Sequence, residues 1–454
     1  MSAQPVIAIF DIGKTNKKLL LFNERYEVVF EHAERLEEIT DEDGYPCEDL
    51  KKLRHFISDN LTKVLNADAY NVKAINFTAY GASFVYIDQN GNTLTPLYNY
   101  LKPYPYKLRD RFYESHGTPE TIAIETASPA LGNLNSGMQL YSLKYQQPQV
   151  FNKVKAALHL PQYLSFLLSG EAISELTSVG CHTTLWDFTA NDYHRWVYEE
   201  ELNNLLPPLK PGDDVTVVKF NGQHNIMVGN GLHDSSSALI PYLVSFAEPF
   251  ILLSTGTWSI TLNPFDQTPL TVEQLENDCL NYIQYKGTPV KASRYFAGPE
   301  YEQRLAQIAA HFNQSVKKYE RLDFDHAIAA KVQKEHPPLQ GSFKWSSKTK
   351  EIANLDQFTN DVEAYYWLIM DIVAKQKSST ELVLNGTPVK CLFVDGGFSK
   401  NKIFMHLLAA AFPHLQVCAA TMPQATAIGA GLAIHHAWNN NPYPADLINL
   451  EPYS

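Results

Sequence analysis

The sequence predicts an α/β protein whose two similar halves face each other across a cleft. Residues 6–22 and residues 249–262 share one layout, in which a small polar turn separates two short apolar strands. The rest of the chain alternates helical spacing with short buried strands, as α/β domains do. We place the boundary between residues 245 and 246. No long Gly/Ser linker lies there, so we expect the halves to share an interface.

Composition and length narrow the class of protein. A chain of 454 residues can form two or three domains with large cores. The 37 basic and 49 acidic residues give a net charge of −12, which argues against a nucleic-acid partner. The five cysteines form no C-x-x-C pair, so we expect neither a disulfide framework nor a cysteine zinc site.

The amino terminus and the apolar runs bear on location. The first apolar stretch has no basic region before it and is interrupted by Asp11, so the sequence predicts no signal peptide. No apolar run approaches the roughly 18 residues that cross a bilayer. We therefore expect a soluble cytoplasmic enzyme with no membrane partner, and a homodimer is left open.

Each element of the first half is predicted from a local pattern. Apolar runs predict strands at residues 6–10, 17–22 and 27–30, with a turn at 23–25. Apolar residues at helical spacing predict a helix over residues 50–65. Farther along, we predict strands at 74–78, 84–88 and 226–229 and helices at 136–146, 149–168 and 235–243, with Pro161 opening a new helix within 149–168.

The second half is predicted in the same way. Its strands are expected at residues 249–254, 258–262, 390–394 and 416–419. Its helices are expected at residues 299–311, 360–377, 402–412 and 425–436. Residues 337–358 are polar and charged, and we predict surface structure there.

Several common nucleotide and hydrolase motifs are excluded. Gly13-Lys14-Thr15 resembles the end of a P-loop, but the first glycine of that motif would fall on Ala8. The preceding strand also runs directly into the turn and leaves no long loop. No G-x-G-x-x-G follows a strand, and H-E-x-x-H and G-x-S-x-G are absent.

The two polar turns together predict a phosphate clamp. In the first turn, Asp11 can hold Mg²⁺ through water while the turn amides face phosphate oxygens. In the second turn, Thr255, Gly256 and Thr257 allow phosphate to approach the backbone closely. Either turn alone would be interpreted as structural. One in each half indicates a clamp that closes across the cleft.

Two glycine-rich segments of the second half follow strands or form helices. Gly396 and Gly397 would let a flat or charged group lie against the backbone after the strand at 390–394. Ser399 is a candidate helix N-cap. Residues 424–431 form a helix of small side chains, which predicts tight helix packing.

Asp234 is the candidate with the clearest chemistry. It follows a strand and the glycine-rich turn at residues 229–231, where a helix would begin. The structural interpretation is a helix N-cap. The functional interpretation is a carboxylate in the cleft that accepts a hydroxyl proton. His233 beside it is expected to be structural.

In their order along the chain, these segments resemble the FGGY family of carbohydrate kinases, within the actin-like, ribonuclease H-like ATPase superfamily. The segments that carry the resemblance are residues 11–16, 231–238, 254–259, 396–401 and 425–430. The resemblance covers essentially the whole chain. It implies two actin-like ATPase domains, a sugar-binding domain at 1–245 and a nucleotide-binding domain at 246–454, with ATP and Mg²⁺.

The resemblance also implies a role for each candidate residue. Asp234 would be the catalytic base, and Asp11 would help hold the metal. The nucleotide and its phosphates would lie against Asp11, Gly13, Lys14, Thr15, Asn16, Thr255, Gly256, Thr257, Gly396, Gly397, Ser399 and Asn401. The sugar would lie against Thr78, Tyr80, Gly81, Tyr98, Asn99 and Asp234. Ordinary packing is the alternative for Tyr80, Tyr98 and Tyr100.

Residues 76–100 and 160–187 resemble the rhamnulokinase branch in particular, which implies a ketose or deoxyketose such as L-rhamnulose or L-fuculose. Two positions depart from the family pattern. Lys14-Thr15 replaces the usual threonine pair, and Asn99-Tyr100 replaces an arginine–acid pair. Lys14 would add a positive charge near the transferred phosphate. The alternatives are a xylulose- or ribulose-type kinase and, in another class, a non-catalytic actin-like ATPase or a sugar-binding pseudokinase.

Overall fold

Two mixed β-sheets of seven strands each organise the protein, one in each half. The structure is a computed structural model that describes residues 3–220, 224–337 and 354–454. Most of the segment predicted to be surface structure, residues 338–353, lies outside the described residues.

The first half consists of the strands of its sheet, several short two-stranded pairs and nine α-helices among the described residues. The strands are β1 (Gln4–Ile12), β2 (Lys17–Phe22), β3 (Val28–Glu34), β4 (Ile39–Thr40), β5 (Pro46–Cys47), β6 (Tyr70–Ala79), β7 (Phe84–Ile87), β8 (Ala156–His159), β9 (Ser174–Glu175), β10 (Trp186–Asp187), β11 (Asp192–Tyr193), β12 (Leu209–Lys210), β13 (Val215–Phe220), β14 (His224–Gly229) and β15 (Leu232–His233). The helices are α1 (Leu50–Leu65), α2 (Tyr106–His116), α3 (Pro119–Thr126), α4 (Ser136–Gln146), α5 (Pro148–Phe151), α6 (Leu160–Ser169), α7 (Leu176–Val179), α8 (Arg195–Glu199) and α9 (Asp234–Ser245).

The second half has fewer and longer elements. Its strands are β16 (Phe250–Thr255), β17 (Ser259–Asn263), β18 (Cys279–Ile283), β19 (Pro289–Tyr295), β20 (Cys391–Gly396), β21 (Gln416–Thr421) and β22 (Asn449–Tyr453). Its helices are α10 (Val272–Glu276), α11 (Ala297–His311), α12 (His326–Glu335), α13 (Asp361–Leu384), α14 (Lys402–Ala411), α15 (Ala425–Ala433) and α16 (His435–Trp438). All described helices fall short of the length and apolarity that a bilayer crossing requires.

The two sheets repeat one pattern of strand pairing. The first sheet has the order β13-β14-β6-β1-β2-β3, and β15 pairs with β6. The second has the order β18-β19-β17-β16-β20-β21-β22. In each half the first long strand forms an antiparallel hairpin on one side and a parallel pair on the other. The prediction of two similar α/β halves is confirmed, whereas the boundary at residue 245 stays a prediction.

The residues of the central strand explain why this sheet forms. Residues Val6 to Phe10 of β1 are all 0% exposed, because both faces of the sheet are covered. Ala8 and Phe10 pack towards α1 and α6, whereas Ile7 and Ile9 pack towards α15. A strand buried on both faces is a continuous apolar run, which is the pattern that predicted it.

One predicted helix is wrong in its middle. Residues 149–168 were expected to be mostly helical, but Ala156–His159 forms β8 and pairs antiparallel with β7. All four residues of β8 are buried, and a short buried apolar run fits a strand as well as a helix. Pro161 does open a new helix, α6, near its amino terminus.

The halves meet where α15 packs on α9 and on the first sheet. A Cβ atom built on Gly429 of α15 would lie 1.8 Å from the carbonyl oxygen of Ser237 on α9. Ser237 Oγ also donates a hydrogen bond to the Thr426 carbonyl oxygen at 2.7 Å. The predicted tight packing of the small-residue helix is therefore present at the interface between the halves.

Gly429→Ala is expected to destabilise the protein by about 1–3 kcal/mol, because the added methyl group forces two helix backbones apart. A lower urea midpoint for unfolding would show this. Gly397→Ala is the matched control, since Gly397 has a helical φ of −65° and no atom within 4 Å of an added Cβ. Equal midpoints for the two variants would contradict the prediction.

Candidate active site

Asp234 lies at the first residue of α9, directly after β15. The N-cap position belongs to His233, with φ −64° and ψ 135°, so the N-cap interpretation of Asp234 is wrong. The Asp234 side chain is 31% exposed. Its Oδ1 accepts hydrogen bonds from the Ser235 amide at 2.6 Å and the Ser235 hydroxyl at 3.2 Å.

Asp11, at the end of β1, faces the same cleft. Burial raises the pKa of Asp11 to about 6; a hydrogen bond from Thr426 opposes the rise and the negative charge of Asp234 adds to it. Burial also raises the pKa of Asp234 to about 6, against the hydrogen bonds from Ser235. Thr426 belongs to α15 and donates to Asp11 Oδ2 at 2.9 Å. Two carboxylates that influence each other therefore lie where the halves meet.

A buried lysine, Lys17, binds the backbone of the first turn. Lys17 is 2% exposed, and its Nζ donates to the carbonyl oxygens of Gly13 and Lys14 at 2.9 and 3.1 Å. Its charge is paired with Glu48 at 3.0 Å. The Gly13 amide closes the turn on the Asn16 carbonyl at 3.0 Å.

The tip of this turn presents unused donors. The Lys14 and Thr15 amides make no hydrogen bond to any residue within the described ranges. Thr15 and Asn16 are exposed. Free amides at a tight turn suit phosphate oxygens, so this part of the predicted phosphate site has the expected form.

Two lysines of this hairpin have different acidic neighbours: Lys14 lies beside Glu38 and Glu48, and Lys18 lies opposite Asp11. Lys14 Nζ lies 3.1 Å from Glu38 and 3.6 Å from Glu48, so its charge is balanced by acidic side chains. Lys18 was not predicted, but it is the cross-strand partner of Asp11, and its charge lowers the pKa of that carboxyl. Lys18 could have been predicted, because counting outward from both ends of the turn pairs residue 11 with residue 18 across the hairpin.

The second turn lies against the glycine pair after β20. Thr255 Oγ1 donates to the Asp395 carbonyl at 2.6 Å, and the Gly397 amide donates to the Thr255 carbonyl at 3.0 Å. Gly396 has φ +93°, and a Cβ there would lie 1.9 Å from the Thr255 oxygen. Gly397, in contrast, has no atom within 4 Å of an added Cβ, and at Gly256 the nearest atom is the Trp258 carbonyl oxygen, at an ordinary contact distance of 3.9 Å. Gly396 thus permits the close approach, while Gly256 and Gly397 leave room beside the backbone.

Two of the remaining second-half candidates, Ser399 and Asn401, have structural partners. Ser399 lies in a 3-10 turn, and its hydroxyl donates to the Gly396 carbonyl at 2.9 Å. The N-cap of α14 is Asn401, which accepts from the Phe404 amide at 3.1 Å, so the N-cap prediction for Ser399 is wrong. Asn401 also donates to the Tyr365 hydroxyl at 2.8 Å. Thr257 is exposed at the tip of the second turn.

Two predicted sugar residues, Thr78 and Gly81, lie beside the segment that precedes Asp234. Thr78 is the cross-strand partner of Asp11, and its buried hydroxyl has no hydrogen-bond partner among the described residues. A Cβ on Gly81 would lie 2.8 Å from Cys181 Sγ and 3.1 Å from the His233 ring. Gly81 therefore lets the chain pass directly behind the His233–Asp234 segment.

The tyrosine candidates and Asn99 differ in where their side chains have partners. Tyr98 and Asn99 bond to loop residues, and Tyr80 bonds to a buried glutamate. Tyr98 donates its hydroxyl to Glu42 at 2.7 Å, and Asn99 Oδ1 accepts from the Leu101 amide at 3.0 Å, so both side chains have partners in surface loops. Tyr80 is buried and donates to Glu48 at 2.7 Å. The Tyr100 ring lies 5.9 Å from that of Tyr80. Burial raises the pKa of Tyr100, and the charge of Asp234 adds to the rise.

Three buried histidines were not predicted as a group. Burial lowers the pKa of His159, His182 and His233 to about 3, so all three are neutral near pH 7. His233 Nε2 lies 3.1 Å from Cys181 Sγ and 3.2 Å from Asp234 Oδ1. Its ring stacks on Tyr282 of the second half, with the centroids 5.5 Å apart. These residues are far apart in sequence, so no local pattern indicated the cluster.

Each half of the chain matches a domain of a known protein family. Residues 6–240 match the N-terminal domain of the FGGY family of carbohydrate kinases. Residues 247–442 match the C-terminal domain of carbohydrate kinase FGGY. These matches define the class as a two-domain carbohydrate kinase. The chain belongs to the FGGY family of carbohydrate kinases.

Curated relatives include rhamnulokinases and an L-fuculokinase. A rhamnulokinase from Halalkalibacterium halodurans is 27% identical over 262 residues, which cover 55% of this chain and 54% of the relative. The chain therefore spans about half the length of that relative. An L-fuculokinase from Haemophilus influenzae is 20% identical over 94% of this chain and 93% of the relative.

Solved structures show the same fold. A carbohydrate kinase from Novosphingobium aromaticivorans has a TM-score of 0.80 at 22% identity and covers 100% of this chain and 94% of its own. A ligand-bound xylulose kinase from Lactobacillus acidophilus has a TM-score of 0.80 at 15% identity, covering 99% of this chain and 93% of its own. The predicted fold class, with two actin-like ATPase domains, is confirmed.

The site residues suit a nucleotide with Mg²⁺. Among the described residues there is no cluster of three or more His, Cys, Asp or Glu side chains able to hold a metal. Mg²⁺ needs only one or two protein carboxylates where phosphates and waters complete its shell. Asp11, beside the free amides of the first turn, is the carboxylate that fits this requirement.

Asp234→Asn is expected to lower kcat by about 10²–10⁴, because the amide cannot accept the hydroxyl proton. The variant should also have a higher Tm at pH 7.5, since an aspartate whose pKa burial raises destabilises the fold once it ionises. ADP release and thermal unfolding measure the two effects. Asp68→Asn, at an exposed position, is the control. Turnover near that of wild type would contradict the role of Asp234.

The pH profile provides an independent check. Proton acceptance requires an ionised carboxylate, and the pKa values of Asp11 and Asp234 are both about 6. We expect kcat/KM to fall as the pH drops below about 6, with apparent values that belong to the coupled pair. A profile that stays flat down to pH 4.5 would contradict this expectation.

Proposed function

We propose that this protein is an ATP- and Mg²⁺-dependent kinase that transfers the γ-phosphate of ATP to a hydroxyl group of a ketose or deoxyketose. The observation that carries the proposal is the position of Asp234 at the start of α9, on the same side of the cleft as Asp11, since β1 and β15 both pair with β6. Family membership supports the reaction class. Free cysteines and the use of ATP support a cytoplasmic location.

The residues supply what phosphoryl transfer needs, which is alignment, charge stabilisation and exclusion of water. Asp234 would accept the proton of the attacked hydroxyl at its carboxylate. The amides of Lys14 and Thr15 and the turn at residues 255–257 would hold the phosphates from the two sides. Gly397 would leave room for the nucleotide. Mg²⁺, held by Asp11 through water, would neutralise phosphate charge.

The sugar would lie in the first half, beside Thr78, Tyr100 and Asp234. The unpaired Thr78 hydroxyl supports this, because a buried hydroxyl gains a partner when a sugar binds. The neutral histidines offer donors and acceptors without a net charge, which suits a neutral polyol. The L-rhamnulose or L-fuculose class is supported by the relatives named above.

Asp11→Ala is expected to weaken the Mg²⁺ dependence of turnover more than the affinity for sugar, because its carboxylate serves the metal and its waters. Titration of initial rates with Mg²⁺, together with the KM for sugar, measures both. Collapse of sugar affinity with an unchanged Mg²⁺ response would instead assign Asp11 to the sugar site.

A substrate panel tests the function itself. With MgATP, we expect L-rhamnulose or L-fuculose to give the highest kcat/KM, with phosphorylation at O1. Related sugars should retain activity, since one methyl or hydroxyl group discriminates only about 10–200-fold. A preference for xylulose, ribulose or glycerol would overturn the deoxyketose assignment alone. Sugar-independent ATP hydrolysis, with no sugar accepted, would favour the non-catalytic actin-like alternative and overturn the kinase proposal.

A further inference from the structure

The second half brings to the cleft one buried cation that has no role in the proposed function. Arg294 lies on β19, and its side chain is 9% exposed. Its Nη2 donates to Asp278 Oδ1 at 2.6 Å. The guanidinium lies over the Trp258 ring, 5.1 Å from its centroid, which places it beside the second phosphate turn. The ion pair and the ring fix its orientation.

The Nε donor of the Arg294 guanidinium has no acceptor in the described part of the chain. Arg294 Nε is buried and makes no hydrogen bond to any residue of the described part of the chain. Leaving a buried donor unpaired costs free energy, and the cost is larger for a charged group. A ligand oxygen would supply the missing acceptor.

Arg294 also points towards the first-half residues around Asp234, because it shares one face of the β18–β19 hairpin with Tyr282, whose ring lies 5.5 Å from that of His233 and 6.2 Å from that of His182. Burial raises the pKa of the Cys181 thiol; the charge of Asp234 adds to the rise and the charge of Arg294 opposes it. Both charges therefore act on one thiol, which touches His233. The pKa of His182 is lowered to about 3, mainly by burial and also by the charge of Arg294.

We propose that Arg294 is a specificity-determining residue that donates a hydrogen bond to a carbonyl or hydroxyl oxygen of a neutral acceptor sugar. The inference rests on the proposed function. A guanidinium carries donors only, so it recognises acceptor oxygens. Asp278 already compensates its charge, and the surrounding histidines are neutral. The site therefore offers no spare positive charge for a sugar that carries a carboxylate or phosphate.

The experiment compares Arg294→Met and Arg294→Lys with Asp278→Asn, using the best neutral sugar of the panel. Both Arg294 variants are expected to raise the KM for sugar by about 10–100-fold, the effect of losing a charge-assisted hydrogen bond. The KM for ATP should change less than about twofold. Asp278→Asn removes the same ion pair but keeps the guanidinium, so its KM for sugar should stay within about threefold of wild type. Arg109→Met, at an exposed arginine, is the control.

Each other outcome overturns the proposal. If Asp278→Asn raises the KM for sugar as much as Arg294→Met does, Arg294 acts only through the ion pair. If the KM for ATP rises instead, Arg294 serves the phosphates. A preference for a sugar acid or sugar phosphate would contradict the neutral class.

Folding and the proposed function are tested separately. If circular dichroism shows that Arg294→Met is unfolded, Arg294→Lys carries the test, because lysine keeps the charge and lacks the Nε donor. Active wild-type enzyme with unchanged KM values in the Arg294 variants would overturn this inference alone. Wild-type protein that neither releases ADP with any sugar nor gains thermal stability from one would overturn both proposals.

Discussion

The contact between α9 and α15 is the constraint on which the arrangement of the two halves depends. Gly429 lets the two helix backbones touch at Ser237, three residues after Asp234. Thr426, one turn earlier on α15, accepts from Ser237 through its carbonyl and donates to Asp11 through its hydroxyl. A single interface thus positions both carboxylates of the candidate site, although they belong to different strands and helices.

The candidate site includes groups that weaken the fold. Two carboxylates with raised pKa values lie close together, and buried hydroxyl and guanidinium donors are left without partners. Lys17, by comparison, is buried with its charge paired and its donors used. The contrast is between a buried charge that is paired within the protein and buried donors that have no partner among the described residues. Proteins commonly give up stability in this way where they bind or react.

Much of the fold could be predicted from the sequence, because local patterns determine it. The helix over residues 50–65 has the predicted bounds, and the strand–turn–strand openings of both halves were identified from short apolar runs around polar turns. The β8 strand could not be predicted in this way, since its pairing with β7 is a tertiary contact.

The candidate site was predictable only in part. Asp11 and Asp234 follow strands, so sequence position indicated their common edge. The neutral histidines and Arg294 have neighbours from distant segments, so no local pattern indicated them, whereas Lys18 follows from the register of the predicted hairpin. Tyr98 and Tyr100 are two residues apart, yet only the structure shows that the charge of Asp234 raises the pKa of Tyr100. Side-chain direction in a loop depends on partners that the local sequence does not reveal.

The glycine contact between α9 and α15 also has a mechanical consequence. Two backbones in direct steric contact resist compression, and the interlocked Ser237 and Thr426 groups resist sliding. Any change in the width of the cleft that keeps this contact intact must therefore rotate the two halves about the interface between α9 and α15.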